Sequence, residues 1–444
     1  MKTNTPRQLT IERLVFGGEG LARQEEATPL ARETAGTAEN GREYARGKAV
    51  FVPLVLPGEL VEARIEEEHR SYARARMMRV LRPSAARQAP PCPYFGECGG
   101  CQWQHILPAE QFDFKQGILL ETLCRLAGAS NLPPVTPHPS PPWYYRNRAR
   151  WRVRAEEPRL AYRRWHSHSA LGVAQCRLLH PELERLTQLP WPPPPPELEE
   201  LEAAVNDQGE LQLHWLGRDL SPAALAWCEQ ASASAGCRAA AVTTRAGTQA
   251  LHGEGWLIWR VGEYRYRISP GAFFQVNRFL LPELIEAMLS AAEGERALDL
   301  FSGVGLFALP LLDRFGWVSA VEADPVSASD LRWNAAHAAS NQAKDAARLH
   351  VSAITAEEFL ERASDARFDL VLVDPPRAGL GKRTLQGLLR LHPRRLHYLS
   401  CDPATLARDL KILLAAGYRL EQLHLFDLFP QTYHLETLVR LRRD

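Results

Sequence analysis

The stretch ALDLFSGVGLFA, residues 297–308, decides the fold. An apolar-rich run ends in Ser302, Gly303 and Gly305, and a second apolar run follows at once. Gly303, Gly305 and Ala308 fit G-x-G-x-x-A, a turn tight enough to bring backbone amides against a ligand at a helix N-terminus. The strand-then-turn pattern recurs in WVSAVEAD (317–324), FDLVLVDPP (368–376) and LHYLSCDP (396–403), with helical runs between. Strands alternating with helices build a parallel sheet covered on both faces, and such sheets bind ligands at the carboxyl ends of their strands. An α/β domain is therefore expected from about residue 268 onward.

The residues at those ends carry the chemistry. Glu322 lies 19 residues after Gly303, where an acid hydrogen-bonds ribose hydroxyls of a nucleotide-like ligand. NAD and S-adenosylmethionine share this geometry. Asp374 opens DPPR, whose two prolines stiffen the loop, and Asp-Pro-Pro at this place is typical of enzymes that methylate nucleobases. Cys401 ends the next strand. A buried structural thiol is the plainer reading, but a cysteine at the ligand rim followed by Asp-Pro is a candidate nucleophile. FPQTYHLE (429–436) adds His434 and Glu436 in an apolar, aromatic setting unusual for a solvated acid.

The chain as a whole, at 444 residues with 45% hydrophobic and 24% charged residues, is an ordinary globular one with room for two or three domains. MKTNTPRQLTIERL has no apolar core and no stretch is long enough to span a bilayer, so neither a signal peptide nor a membrane helix is expected, and the cytoplasm and a monomer are the default expectations. A net charge of +1 gives no global pull on nucleic acid, so any such contact must be local. Residues 8–83 read as a β-rich module with a Pro-Gly turn at 57–58 and a polar surface loop over 23–47; a helix is expected from Pro108 to about Ala127. In WYYRNRARWRVRAEE, a strand would put Arg146, Arg148, Arg150, Arg152 and Arg154 on one face, beside Trp143, Tyr144, Tyr145 and Trp151. That composition suits RNA, with arginines on phosphates and aromatics on unpaired bases. PWPPPPP (190–196) reads as a polyproline connector or loop. Cys92, Cys98 and Cys101 are spaced C-x5-C-x2-C, a grouping that in a reducing compartment points to a metal or redox centre rather than disulfides; Cys124, Cys228 and Cys237 have no companion motif.

In this order, LPGE, CPYFGECGGCQWQH, YYRNRAR, FFQVN, DLFSGVGLF, DPPR, SCDP and FPQTYHLE resemble the RNA uracil-5 methyltransferase family, in the TRAM-domain, iron–sulfur branch that modifies ribosomal RNA. The resemblance spans nearly the whole chain. It implies a TRAM-like, OB-like RNA-binding β-barrel over 1–84, with Arg64, Arg70, Arg74, Arg76, Arg79 and Arg82 as a basic run. It further implies a central α+β domain over 85–267 carrying a cluster and an RNA-contact surface, and a Rossmann-like methyltransferase sheet over 268–444. Gln275 and Phe301 would contact S-adenosylmethionine, Glu322 its ribose, and Asp374 would stand between cofactor and target. Cys401 would be the nucleophile and Glu436 the general base. Ser302 and Leu306 depart from the Cys and Asn common in the glycine turn, the second removing a polar cofactor contact. Four thiolates, with Cys176 in GVAQCRLLHP as the fourth, suit zinc or iron–sulfur; spacing leaves that open, and the resemblance favours a structural 4Fe–4S cluster. Radical enzymes use C-x3-C-x2-C instead.

A cysteine is needed because uracil C5 is a poor nucleophile toward a sulfonium methyl; addition of sulfur at C6 makes C5 an enolate carbon. The implied partner is RNA, with 23S ribosomal RNA favoured and transfer RNA the alternative. Methylation of an exocyclic base amine is a competing reading, but such enzymes place an aromatic after the two prolines, where this chain has Arg377. A non-catalytic RNA-binding protein is the third.

Overall fold

A computed structural model describes residues 5–24, 47–129, 131–337, 348–363 and 366–443. Most of the polar loop expected over 23–47 lies outside the described residues. The chain divides into two compact units, residues 1–118 with 431–434, and residues 119–430 with 435–444.

The first unit holds a closed five-stranded barrel, in the order Arg7–Leu14, Glu19–Gln24, Lys48–Pro53, Tyr72–Arg82 and Leu60–Glu68. Alternating inward residues Leu9, Ile11, Val50, Val52, Val61 and Ala63 fill it. LPGE is explained by its last residue: Glu59 is fully buried, yet Arg87 Nε (2.5 Å) and Nη2 (2.8 Å) and the Leu56 (2.8 Å) and Ser84 (3.2 Å) amides all donate to it. Burial pushes its carboxyl up, but these donors outweigh that and hold it below the usual range. Removing either partner would strand a buried charge at a cost of about 3–5 kcal/mol. Of the six barrel arginines, Arg74, Arg76 and Arg79 pair with Glu19, Glu66 and Glu62. Such exposed pairs are worth at most about 1 kcal/mol.

The second unit contains an eight-stranded sheet in the order Leu349–Ser352, Phe315–Val321, Gly294–Leu300, Leu370–Val373, Arg395–Ser400, Glu436–Arg442, Arg419–Phe426 and Val135–His138. The first five run parallel, and Glu436–Arg442 is antiparallel to both neighbours. Gly294–Leu300 lies between Phe315–Val321 and Leu370–Val373, so the strand order reverses beside it and opens a ligand crevice at its carboxyl end. Val135–His138 comes from the middle of the chain and pairs with Arg419–Phe426. A seven-stranded sheet runs from Gly247–His252 to Ala170–Gly172, with Arg148–Val153 inside it, and Leu257–Val261 and Tyr264–Ile268 form a separate hairpin. One apolar core, including Trp259, Phe274, Leu284, Val318, Leu372 and Phe426, joins that hairpin to the larger sheet. The helix expected at 108–127 runs over Pro108–Thr122 and continues as a π-turn, Leu123–Ala127, ending at Gly128 in a left-handed conformation. The π-turn packs on the helix Pro403–Ala415. The proline run carries no regular structure.

Candidate active site

Gly294–Leu300 delivers the glycine turn. Gly303 (φ 55°) and Gly305 (φ 96°) take backbone conformations that favour glycine, and a Cβ on Gly305 would also meet Leu331 at 2.7 Å. The Gly303 amide donates to Glu322 at 2.7 Å and the Asp324 amide to its other oxygen at 2.7 Å, so the acid at the end of the second strand is pinned beside the turn. Phe301 holds φ 64°, strain of the kind found at ligand sites. Ser302 replaces a thiol without loss of order: its hydroxyl donates to Asp299 O (2.7 Å) and accepts from the Val321 amide (3.0 Å). Leu306 is buried in the core, and its carbonyl accepts from Tyr266.

Asp299, which the sequence reading passed over, is fully buried under this turn; neither carboxyl oxygen has a well-aligned hydrogen bond, and the nearby Ser302 hydroxyl and Ala308 amide offset its burial only in part. Burial first, then the Asp374 charge, push it far above the usual carboxylate range. A buried, poorly satisfied acid beneath a glycine turn suits a ligand with an ammonium and a sulfonium, so the residues present fit S-adenosylmethionine. The signal was the Asp of DLF, which reads as a polar interruption of a buried strand.

Cys401, Asp374 and Glu436 are gathered at the neighbouring rim. Asp374 follows Leu370–Val373, Cys401 follows Arg395–Ser400, and Glu436 opens the strand whose Thr437 pairs with Ser400. Register thus sets Glu436 across from Cys401. Glu436 is only 4% exposed; burial and the Asp374 charge push it well above the ordinary range, while Arg377 pulls it down. Desolvation pushes Asp374 up to about 7. Burial, then Glu436 and Asp374, push the Cys401 thiol up to about 11 against the pull of Arg377. Three groups able to exchange a proton therefore feel one another, with one cation facing them.

The loop 375–380 is fastened to the helix Pro403–Ala415. Arg408 Nη2 donates to Ala378 O (2.9 Å), and Asp409, itself held by Tyr398 (2.9 Å), accepts from the Leu380 amide (3.0 Å). Asp402 caps that helix by accepting from the Ala404 and Thr405 amides, both at 2.9 Å, so the acid of SCDP places Cys401 rather than acting beside it. Gln275 is buried; its carbonyl accepts from Asn147 (3.1 Å), while Asn277 reaches Ser140 and Leu428 O. Those bonds seat FFQVN in the second unit.

The arginine stripe differs from expectation. Only Arg148–Val153 forms a strand; Arg150 is paired with Glu200 and Glu202, Arg154 with Glu156, and Arg148 donates to Ala272 O. Tyr145 and Trp151 are core residues, whereas Tyr144 is exposed. Cys92, Cys98 and Cys101 lie in one turn of the first unit, where the Gly100 amide donates to Cys98 Sγ at 3.4 Å, and Cys176 lies in the second. Among the described residues, no three His, Cys, Asp or Glu side chains are drawn together as a metal site. The donors have the right softness for iron–sulfur, but their placement does not itself form a site. Cys124 is exposed and Cys228 and Cys237 are buried. Among the described residues no helix is long and apolar enough to cross a membrane.

Residues 257–444 match the family described as tRNA (Uracil-5-)-methyltransferase, and residues 5–78 match the TRAM domain. The chain is 34% identical to a 23S rRNA (uracil(1939)-C(5))-methyltransferase of Pectobacterium atrosepticum, over 90% of each chain. It is 32% identical to an uncharacterized RNA methyltransferase of Aquifex aeolicus, over 98% of each. In fold it matches the Pyrococcus abyssi tRNA (uracil-54, C5)-methyltransferase bound to S-adenosyl-L-homocysteine, with a TM-score of 0.67 over 98% of this chain and 100% of that one, at 21% identity.

Proposed function

The chain belongs to the RNA uracil-5 methyltransferase family and methylates C5 of uridine in RNA with S-adenosylmethionine as donor, and we propose that its target uridine lies in 23S ribosomal RNA. Relatives named for that substrate, alike over nine-tenths of the chain, favour it over transfer RNA. Such an enzyme acts as a monomer in the cytoplasm, through a barrel for RNA (1–84), a central RNA-contact domain (85–267) and a methyltransferase domain (268–444).

The observation that carries the mechanism is the shared electrostatics of Cys401, Asp374 and Glu436 at one sheet rim. The target base leaves its stack to enter this rim, which costs a few kcal/mol in a paired region. Cys401 releases its proton to solvent water and its sulfur adds to uracil C6; Arg377 favours the thiolate. Electron density moves to C5, which takes the methyl group. Glu436, as carboxylate, removes the C5 proton, the C5–C6 double bond re-forms and the Cys401 sulfur leaves. Asp374 would sit near the donor and the target base. When bound, S-adenosylmethionine would supply the electrophilic methyl and leave as S-adenosylhomocysteine; Gln275, Phe301, Gly303, Gly305 and Glu322 would hold it. We assign Cys92, Cys98, Cys101 and Cys176 to a 4Fe–4S cluster on donor chemistry; methyl transfer needs no electron, so no step runs through it.

Tritium release from 23S ribosomal and transfer RNA transcripts labelled at uridine C5 tests the reading. Donor-dependent release from ribosomal RNA alone is expected. Release from transfer RNA alone would reassign the substrate, and methyl incorporation without release would move the reaction off C5.

A further inference from the structure

Beside the segment that follows Gln275 lies a cavity of about 240 Å³, lined among others by His180, Trp259, Arg260, Arg278 and Phe279. We propose that it is a docking subsite for one unpaired nucleotide of the RNA strand adjoining the target uridine. This deepens the RNA-methylation reading and rests on it.

Four features converge there. Arg278 lies over the Phe279 ring, 4.4 Å from its centroid, and Phe279 is 37% exposed. The pair makes a flat cationic platform of the kind on which bases stack. The guanidinium is aimed rather than loose, because its Nε donates to Tyr144 O at 2.9 Å. Tyr144 holds φ 57° and is 40% exposed, so a strained, solvent-facing aromatic presents that carbonyl. Among the described residues, neither Arg278 nor Arg260 has a carboxylate partner, unlike Arg150 and Arg154 of the stripe. Asp207 also lines the cavity and accepts from the Arg260 amide at 2.8 Å, so the Arg278 guanidinium is the group fit for phosphate.

The fourth feature points to a base. Trp259 lines the cavity and, at 2% exposure and packed on Phe274 at 5.1 Å, forms a fixed apolar wall of it. A flat base rests against such a wall as it stacks on the Arg278–Phe279 platform. A splayed base can enter such a space, whereas a base pair cannot. The position is close to the chemistry: Arg278 follows Gln275 by three residues, so their Cα atoms are at most about 11 Å apart. The Arg278 amide donates to Tyr145 O at 3.0 Å, and buried Asn277 anchors the preceding residue. The subsite is thus rigidly spaced from the donor pocket.

The double variant Arg278→Ala/Phe279→Ala tests it, with a fluorescent oligouridylate octamer and a short RNA duplex as probes. Affinity for the octamer is expected to fall about tenfold or more while the duplex is unaffected. The slope of log affinity against log salt should drop by about 1 for the octamer. Arg278→Lys with Phe279 intact should keep that slope and lose part of the affinity. Unchanged S-adenosylmethionine affinity verifies the fold of each variant. Equal losses for octamer and duplex, or none for the octamer, would overturn the subsite. If the wild type releases tritium from RNA and the octamer result is flat, only the subsite falls; if no RNA yields release, the methylation reading falls with it.

Discussion

Cys401 and Cys98 both sit in turns and both have thiols pushed up by burial, but their neighbours differ. Around Cys401 stand two carboxyls, themselves pushed up, and the Arg377 cation. Around Cys98 stand a backbone amide and the thiol of Cys92. The first environment exchanges protons on demand; the second offers soft donors and no base. The same residue type is thus set to opposite tasks by what its loop brings alongside. Substitutions at the two places should separate activity from stability.

The largest effect is expected at Cys401. Cys401→Ala removes the nucleophile and should lower kcat by roughly 10⁴-fold or more, with the thermal midpoint unchanged. Retention of C5 methylation within tenfold of wild type would remove Cys401 from the chemistry. Glu436→Gln follows, with a loss of about 10²–10⁴-fold. It spares adduct formation and methyl transfer but blocks C5 proton removal, so an RNA–protein adduct stable to denaturant should build up on gels. Faster turnover without adduct would assign the base elsewhere.

The pH profile sharpens the electrostatic half of the comparison. Cys401 at about 11, Asp374 at about 7 and Glu436 well above the ordinary range all lie above their free values. Each group's deprotonated form therefore grows as pH rises, and kcat/KM should climb from pH 6 through 9 without an acid optimum. Arg377 pulls both Cys401 and Glu436 down, so Arg377→Ala should move this limb to higher pH. Its activity deficit should stay nearly constant between pH 7 and 9.5, below the Cys401 value of about 11, and shrink only as pH passes that value. On the other side, Cys98→Ala should leave the Cys401 limb in place while lowering iron and acid-labile sulfide content. The thermal midpoint should fall by roughly 5–10 °C, as a loss of 2–3 kcal/mol does in domains of this size. Undiminished iron and sulfide would refute the ligand assignment, and full stability without iron would refute the structural role.

Much of this was legible in the sequence, because strand-ending turns announce themselves locally. DLFSGVG, DPPR and SCDP each join an apolar run to a glycine, a proline or a cap, and each lies at the rim where such motifs act. What escaped depends on partners far away in the chain. VTPH, with its proline, gives no sign of being the edge strand of the large sheet, since its pairing residues lie near position 424. The arginine stripe had the right period, but its neutralising acids arrive from Leu198–Val205, some 50 residues later. Asp299 and Asp409 look like ordinary acids until burial gives one no well-aligned partner and the other a loop to hold.

The smallest effect expected is at Asp402, and it tests whether Cys401 depends on placement as well as on its charged neighbours. Asp402 accepts from two amides at the start of Pro403–Ala415, and Thr405 on the same turn donates to the Arg377 carbonyl at 3.3 Å. Loss of the cap in Asp402→Ala should cost about 1 kcal/mol, a fall in midpoint of roughly 2–4 °C. Because the cap adjoins the nucleophile and the DPPR loop, kcat should fall several-fold while the pH limb keeps its position. Asp402→Asn preserves an acceptor and should restore both. If the asparagine restored stability but not activity, the Asp402 charge itself would belong to the chemistry, and the proton-exchanging group around Cys401 would have a further member.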